Sequence, residues 1–169
     1  MTDESVPAQP SRWRAVAVAI VVSVAIALVG VVGGLFDSSV GLWTLGLAAP
    51  LVGVVLLSRL SRGADRRAVF ISLGIFGAAF VVVGALDWIG FPIGVPAAIT
   101  LATGLAASYA LKFRSIETMQ RRTSWVIGAF AIAWALSLGL STAAAAVVSA
   151  PLAFIAVGMA DLKLGAEAT

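Results

Sequence analysis

The chemistry open to this chain is limited first by the side chains that it lacks. Its 169 residues include no histidine and no cysteine, so the chain has no imidazole base, no thiolate nucleophile and no disulfide. No imidazole or thiolate is present to ligate zinc, haem or an iron–sulfur cluster. The composition therefore argues against an enzyme, and it predicts no catalytic residue, no metal site and no cofactor.

Hydroxyl groups within the apolar segments are the next candidates for a functional site. The most polar face in the chain consists of four residues at positions i, i+3, i+4 and i+8 of one predicted helix: Thr100, Thr103, Gly104 and Ser108. Two interpretations of this face remain open. It lines a narrow polar path for a small solute, or it is a packing seam between helices, which is the more common role of such residues.

Arginine and lysine side chains cluster in two segments between apolar runs. A charged side chain costs about 2.5–3.5 kcal/mol at the centre of a membrane-spanning helix, so these segments are expected to lie outside the spans. There they are suited to contact anionic lipid headgroups, although setting the orientation of the chain is sufficient reason for their presence. The residues concerned are Arg59, Arg62, Arg66, Arg67, Lys112, Arg114, Arg121 and Arg122.

The overall composition is that of an integral membrane protein. Hydrophobic residues make up 61% of the chain and charged residues 11%, whereas soluble domains contain about 25% charged residues. The net charge of +3 would suit nucleic acid in a soluble protein, but the preference for positive charge on the cytoplasmic side of a membrane accounts for it. No nucleic-acid partner is expected.

The apolar runs predict an all-α bundle of six transmembrane helices between residues 12 and 160. The last run is divided at Gly139–Thr142, because a single helix from Ser124 to Ala160 would be about 55 Å long and would overshoot the bilayer. The predicted spans are 15–35, 42–60, 68–86, 93–111, 124–138 and 143–160. A disordered tail of residues 1–11 and a C-terminal tail of residues 161–169 are expected to flank the bundle.

Positive charge predicts the orientation of this bundle. With six spans and a cytoplasmic N-terminus, all 11 lysines and arginines fall on the cytoplasmic side, as the positive-inside rule requires. Both termini are therefore expected in the cytoplasm. The abundance of alanine, valine and arginine is typical of a GC-rich prokaryotic genome, so the expected location is the plasma membrane of a prokaryotic cell.

The same pattern contains a weak internal repeat. Arg14, Arg67 and Arg122 each precede an odd-numbered span, and a proline follows in each even-numbered one. Three helical hairpins related by an axis along the membrane normal would give this pattern. Any six-span protein with basic cytoplasmic loops has a similar period, so the repeat remains open. The prolines are Pro50, Pro96 and Pro151.

Two functions of different class are consistent with the sequence. The preferred one is a non-catalytic multi-pass membrane protein that acts as a subunit, assembly factor or scaffold. Its expected partners are the lipid bilayer, anionic headgroups at the inner face, and another membrane protein or further copies of the chain. The alternative is a small transporter or channel for an uncharged or weakly polar solute. The lack of catalytic residues, the short loops and the many small residues suited to helix contact favour the first.

Overall fold

The computed structural model describes residues 12–32, 39–63, 65–111 and 116–166, which form six α-helices and no strand. The helices are α1 (Arg12–Val32), α2 (Ser39–Arg62), α3 (Arg66–Trp88), α4 (Val95–Ala110), α5 (Ile116–Gly139) and α6 (Thr142–Ala166). The all-α prediction is thus confirmed for this part of the chain. The tail predicted for residues 1–11 lies outside the described residues.

Several of these helices have the length and composition of membrane spans. Among the described residues, three stretches are long and apolar enough to cross a membrane: Thr44–Arg62, Arg66–Trp88 and Ala144–Leu162. Two shorter stretches, Trp13–Val29 and Val95–Ala110, are also apolar. A helix is stable in the hydrocarbon core of a membrane because its backbone polar groups bond to one another, and no water is present there to bond them. The chain therefore has the features of a membrane protein.

Two helix boundaries differ from the predicted ones by more than three residues. α5 begins at Ile116 instead of Ser124, so part of the segment predicted as a basic loop is the start of this helix. α6 continues to Ala166, so the predicted C-terminal tail is helical over most of its length. Two ion pairs favour these extensions: Glu117 with Arg121 within α5, and Arg122 with Asp161 between α5 and α6.

The helices form three hairpins around a central trio. α2, α4 and α6 all contact one another, whereas each odd-numbered helix packs against its own hairpin partner and one helix of a neighbouring hairpin. α1 contacts α2 and α6, α3 contacts α4 and α2, and α5 contacts α6 and α4. The turn of the last hairpin lies at residues 140–141, inside the segment Gly139–Thr142 that is predicted to divide the last apolar run. This arrangement places α4 inside the bundle and α3 at its edge.

α4 is the shortest of the described helices and is enclosed on most sides. It has 16 residues, most of them buried, and measures about 24 Å. Small residues let the neighbouring helices approach it closely. At Gly104, an added Cβ would lie 2.5 Å from Val126 Cγ1, well inside the contact distance of about 3.5–4.0 Å between carbon atoms. The contact between α4 and α5 therefore depends on glycine at this position.

Gly104→Ala is expected to destabilise the bundle. Val126 is fully buried and β-branched, so it has little freedom to rotate away, and overpacking costs about 1–3 kcal/mol. Gly128→Ala is the matched control, because nothing lies within 4 Å of a Cβ there. Thermal unfolding in detergent should show a lower Tm for Gly104→Ala and no decrease for Gly128→Ala. Equal Tm values for the two variants would contradict the close contact.

Candidate functional site

α4 ends at Ala110, with Leu111 as its C-terminal cap, and the last carbonyl groups have no donor within the helix. Every α-helix ends this way, because its last four carbonyls have no N–H group one turn ahead. The Leu111 N–H donates to Ala107 O at 3.0 Å, and the backbone at Leu111 is extended. The carbonyls that follow belong to Ser108, Tyr109, Ala110 and Leu111. Ala110 and Leu111 are fully buried, where an unpaired carbonyl would be costly.

Arg122, in the second turn of α5, donates to two of these carbonyls and also binds a carboxylate. Its Nη1 lies 3.1 Å from Ser108 O and 2.7 Å from Leu111 O. On the other edge of the guanidinium, Nε lies 2.8 Å from Asp161 Oδ1 and Nη2 lies 3.0 Å from Oδ2. The Arg122 side chain is fully buried, and that of Asp161 is 15% exposed. This buried charge is tolerated because the carboxylate neutralises it, and because the carboxylate and two carbonyls accept the hydrogen bonds of the guanidinium.

Arg62, the last residue of α2, donates to the other two carbonyls. Its Nε lies 3.2 Å from Ala110 O, and its Nη2 lies 2.5 Å from Tyr109 O. The guanidinium carbon is 4.7 Å from the centre of the Tyr109 ring, which adds a cation–π contact. A cation is also favoured here by the partial negative charge at a helix C-terminus. Arg62 and Arg122 together therefore provide donors for all four carbonyls.

The opposite end of α4 is also tied to its surroundings. Asp87 Oδ1 accepts hydrogen bonds from the N–H groups of Ile93 and Gly94, both at 3.0 Å. Trp134 Nε1, on α5, donates to Pro92 O at 2.9 Å. A carboxylate near the N-terminus of α4 and guanidinium groups near its C-terminus both agree with the helix dipole. α4 is thus held at both ends by groups from outside the helix.

The predicted polar face of α4 lies inside the bundle. Thr100 Oγ1 and Thr103 Oγ1 donate to carbonyls one turn earlier in α4, at 3.0 and 2.6 Å. Thr100 Oγ1 is also 3.5 Å from Ser149 O of α6. Gly104 is the position of close contact with α5. The Ser108 hydroxyl is buried without a hydrogen-bond partner among the described residues. Two of the three hydroxyls are therefore already bonded to backbone.

The arginines and lysine predicted to contact lipid headgroups have different surroundings. Three of them are exposed, as such a contact requires: Arg59, Arg66 and Arg67. Arg122 is fully buried, with its guanidinium bonded to Asp161 and to carbonyls of α4, and Arg62 is half-buried against Tyr109. Arg121 forms an exposed ion pair with a glutamate of its own helix. The two remaining residues, Lys112 and Arg114, lie outside the described residues.

Sequence reasoning missed the pair of Arg122 and Asp161, because hydropathy assigned one residue to a loop and the other to a tail. A signal was present in their spacing. Each lies about 20 residues, or about 30 Å, from the turn at residues 140–141. An antiparallel helical hairpin therefore brings them to the same level, at a distance from the turn that equals the thickness of a hydrocarbon core.

Asp161→Asn is expected to destabilise the bundle strongly. The substitution preserves the shape of the side chain but leaves the buried Arg122 without a counter-ion, a change that typically costs about 3–5 kcal/mol. Glu117→Gln is the matched control, because it breaks the exposed pair with Arg121, where a loss of about 0–1 kcal/mol is expected. Equilibrium unfolding with dodecyl sulfate in mixed micelles measures the decrease in the free energy of unfolding for both variants.

The double variant Arg122→Leu with Asp161→Leu separates the contribution of the ion pair to stability from the contribution of the α4 capping. It removes both charges together, so stability should recover in part relative to Asp161→Asn. Recovery should be incomplete, because the carbonyls of Ser108 and Leu111 would lose their donors. Equal losses from Asp161→Asn and Glu117→Gln would contradict a buried pair.

Comparisons with known proteins add no family to this description. No family model matches the chain, and neither does any curated protein or any solved structure.

Proposed function

We propose that this chain is a non-catalytic, multi-pass membrane protein that acts as a subunit or scaffold, with one side of α3 as its contact for another helix. The observation that carries the proposal is a set of three glycines on α3 that have no neighbour in the described chain. Because four other glycines of the described helices lie close against a neighbouring helix, such a set supports a contact with a second molecule.

α3 packs into the bundle on one side only. Its buried residues are Ala68, Ser72, Phe76 and Val83, and the helix contacts α4 and α2. The open side, here called the α3 face, runs the length of the helix. It consists of Phe70, Gly74, Gly77, Ala78, Val81, Gly84, Ala85 and Trp88, all of them exposed. The helical spacing places these residues opposite the buried ones.

The glycines distinguish the α3 face from an ordinary lipid-facing surface. Exposed apolar side chains are normal where a helix meets lipid, but glycine inside a helix costs roughly 0.5–1 kcal/mol relative to alanine. Four glycines inside the bundle lie where a Cβ would crowd a neighbouring helix: Gly46, Gly53, Gly104 and Gly158. The glycines of the α3 face have open space at the same position. A helix that approaches closely from another molecule would explain them.

The proposal includes all six helices as spans, with both termini in the cytoplasm of a prokaryotic cell. The end of the bundle at which Arg62, Arg66 and Arg122 lie, here called the basic end, would then face the cytoplasm, in agreement with the positive-inside rule. The contacts of the odd-numbered helices follow one cyclic order around the central trio. This order supports three hairpin repeats about an axis along the membrane normal.

A transporter or channel for an uncharged or weakly polar solute is the second candidate. Its support is the buried hydroxyl of Ser108, which has no partner among the described residues and which a polar solute would satisfy. The hydroxyls of Thr100 and Thr103 would also have to face such a path, but they are bonded to the backbone of α4. The subunit or scaffold role is therefore preferred.

The double variant Gly77→Leu with Gly84→Leu is expected to abolish assembly and leave the fold intact. Both positions have open space for a side chain within the chain, but leucine would prevent another helix from approaching the backbone. Native mass spectrometry after mild extraction from the cell's own membrane should show the wild type in a homo-oligomer or with a partner protein. The double variant should appear as a single chain with an undiminished Tm.

Gly128→Leu is the matched control, because it adds the same side chain at an open, exposed glycine of α5. Assembly should survive this substitution. Loss of assembly in Gly128→Leu with retention in the α3 variant would place the interface on α5 and contradict the proposal. A wild type that is extracted as a lone chain would contradict it as well.

A further inference from the structure

The turn between α2 and α3 borders a cavity of about 670 Å³ at the basic end. Gly63, which follows α2, has a φ of +68°, a conformation that suits glycine. Asp65 caps α3 by accepting hydrogen bonds from the N–H groups of Arg67 at 3.0 Å and Ala68 at 3.4 Å. The described residues that line the cavity are Arg59, Gly63, Asp65, Arg66, Val69 and Phe70.

Two guanidinium groups of this cavity have no counter-ion in the described chain. Arg59 and Arg66 are exposed, and neither forms a hydrogen bond or an ion pair through its side chain with another described residue. Asp65 is the one acid among the described lining residues, and its carboxylate is bonded to the N-terminus of α3, where the helix dipole offsets its charge. The cavity therefore has unpaired guanidinium groups suited to a phosphate.

Apolar side chains line the part of the cavity that follows along α3. Phe70 lies about 6 Å along the helix from Arg66, and it is 72% exposed. Val69 lies beside it in the lining. The segment that begins at Arg66 is long and apolar enough to cross a membrane, so the two arginines stand at its polar end. Cationic groups followed by apolar ones match the order of phosphate and acyl chain in a phospholipid.

We propose that this cavity is a binding site for an anionic phospholipid. Arg59 and Arg66 bind the phosphate, while Val69 and Phe70 contact the beginning of an acyl chain. A free phosphate ion shares the headgroup chemistry, but it gains nothing from the apolar side chains. Dependence on Phe70 therefore distinguishes a lipid from a free anion. Phe70 is the one described lining residue that the cavity shares with the α3 face, whereas Arg59, Arg66 and Val69 lie outside that face.

The test is the lipid preference of the purified protein, measured by native mass spectrometry with equal amounts of phosphatidylglycerol and phosphatidylcholine. One arginine near anionic lipid contributes roughly a fivefold gain in affinity, so Arg59→Gln with Arg66→Gln should lower the preference for phosphatidylglycerol about 25-fold. Arg14→Gln with Arg67→Gln is the matched control. It removes two exposed positive charges that do not line the cavity, and it should change the preference far less.

Phe70→Ala tests the apolar part of the site. Because Phe70 is largely exposed, the fold should tolerate the change, and an unchanged Tm would verify this. The variant is expected to retain less phosphatidylglycerol than the wild type. Its affinity for inorganic phosphate, measured by calorimetric titration, should equal that of the wild type. Equal losses of lipid preference in the two double arginine variants would overturn the proposal in favour of diffuse surface attraction. Phosphate binding that requires Arg59 and Arg66, without any lipid preference, would overturn it in favour of a free anion.

Discussion

Free carbonyl groups at the end of a buried helix are the constraint on which the rest of this bundle depends. α4 measures about 24 Å and is shorter than α5 and α6, which have 24 and 25 residues. Its end at Leu111 therefore lies among its neighbours, where unpaired carbonyls are costly. Arg62 and Arg122 provide the donors. Since these arginines belong to α2 and α5, the same hydrogen bonds connect both helices to the end of α4.

The buried guanidinium of Arg122 in turn requires a counter-ion, and Asp161 of α6 provides it. α4, α5 and α6 therefore meet at one side chain. The desolvation of two buried charges offsets much of their mutual attraction, so we interpret the pair as a means of fixing the register of the last hairpin and not as a large source of net stability. This interpretation also accounts for the helical segments of α5 and α6 that extend beyond their apolar runs.

Hydropathy was enough to predict helices but not what lies at their ends. The helical class and the division near Gly139 follow from apolar length alone, because a longer helix would overshoot a bilayer. Arg122 was assigned to a loop because hydropathy treats each charge as if it stood alone, whereas its partners come from other helices. Spacing likewise placed Thr100 and Thr103 on one face, but it could not show that their hydroxyls bond to α4. Nor does spacing separate a glycine in close contact, such as Gly104, from the open glycines of α3.

Capping of α4 by arginine can be measured directly, because Tyr109 is the only tyrosine in the chain. Protein grown with carbonyl-13C tyrosine, and with arginine labelled with 15N at its guanidinium nitrogens, has one enriched carbonyl group. Rotational-echo double-resonance solid-state NMR in lipid bilayers measures the distance from that carbon to the nearest labelled nitrogen. We predict a distance of about 4 Å or less in the wild type, given ordinary hydrogen-bond and carbonyl geometry. In Arg62→Gln, the coupling between the Tyr109 carbonyl carbon and a guanidinium nitrogen should disappear. A wild-type carbonyl with no detectable coupling to any guanidinium nitrogen would contradict the capping of α4.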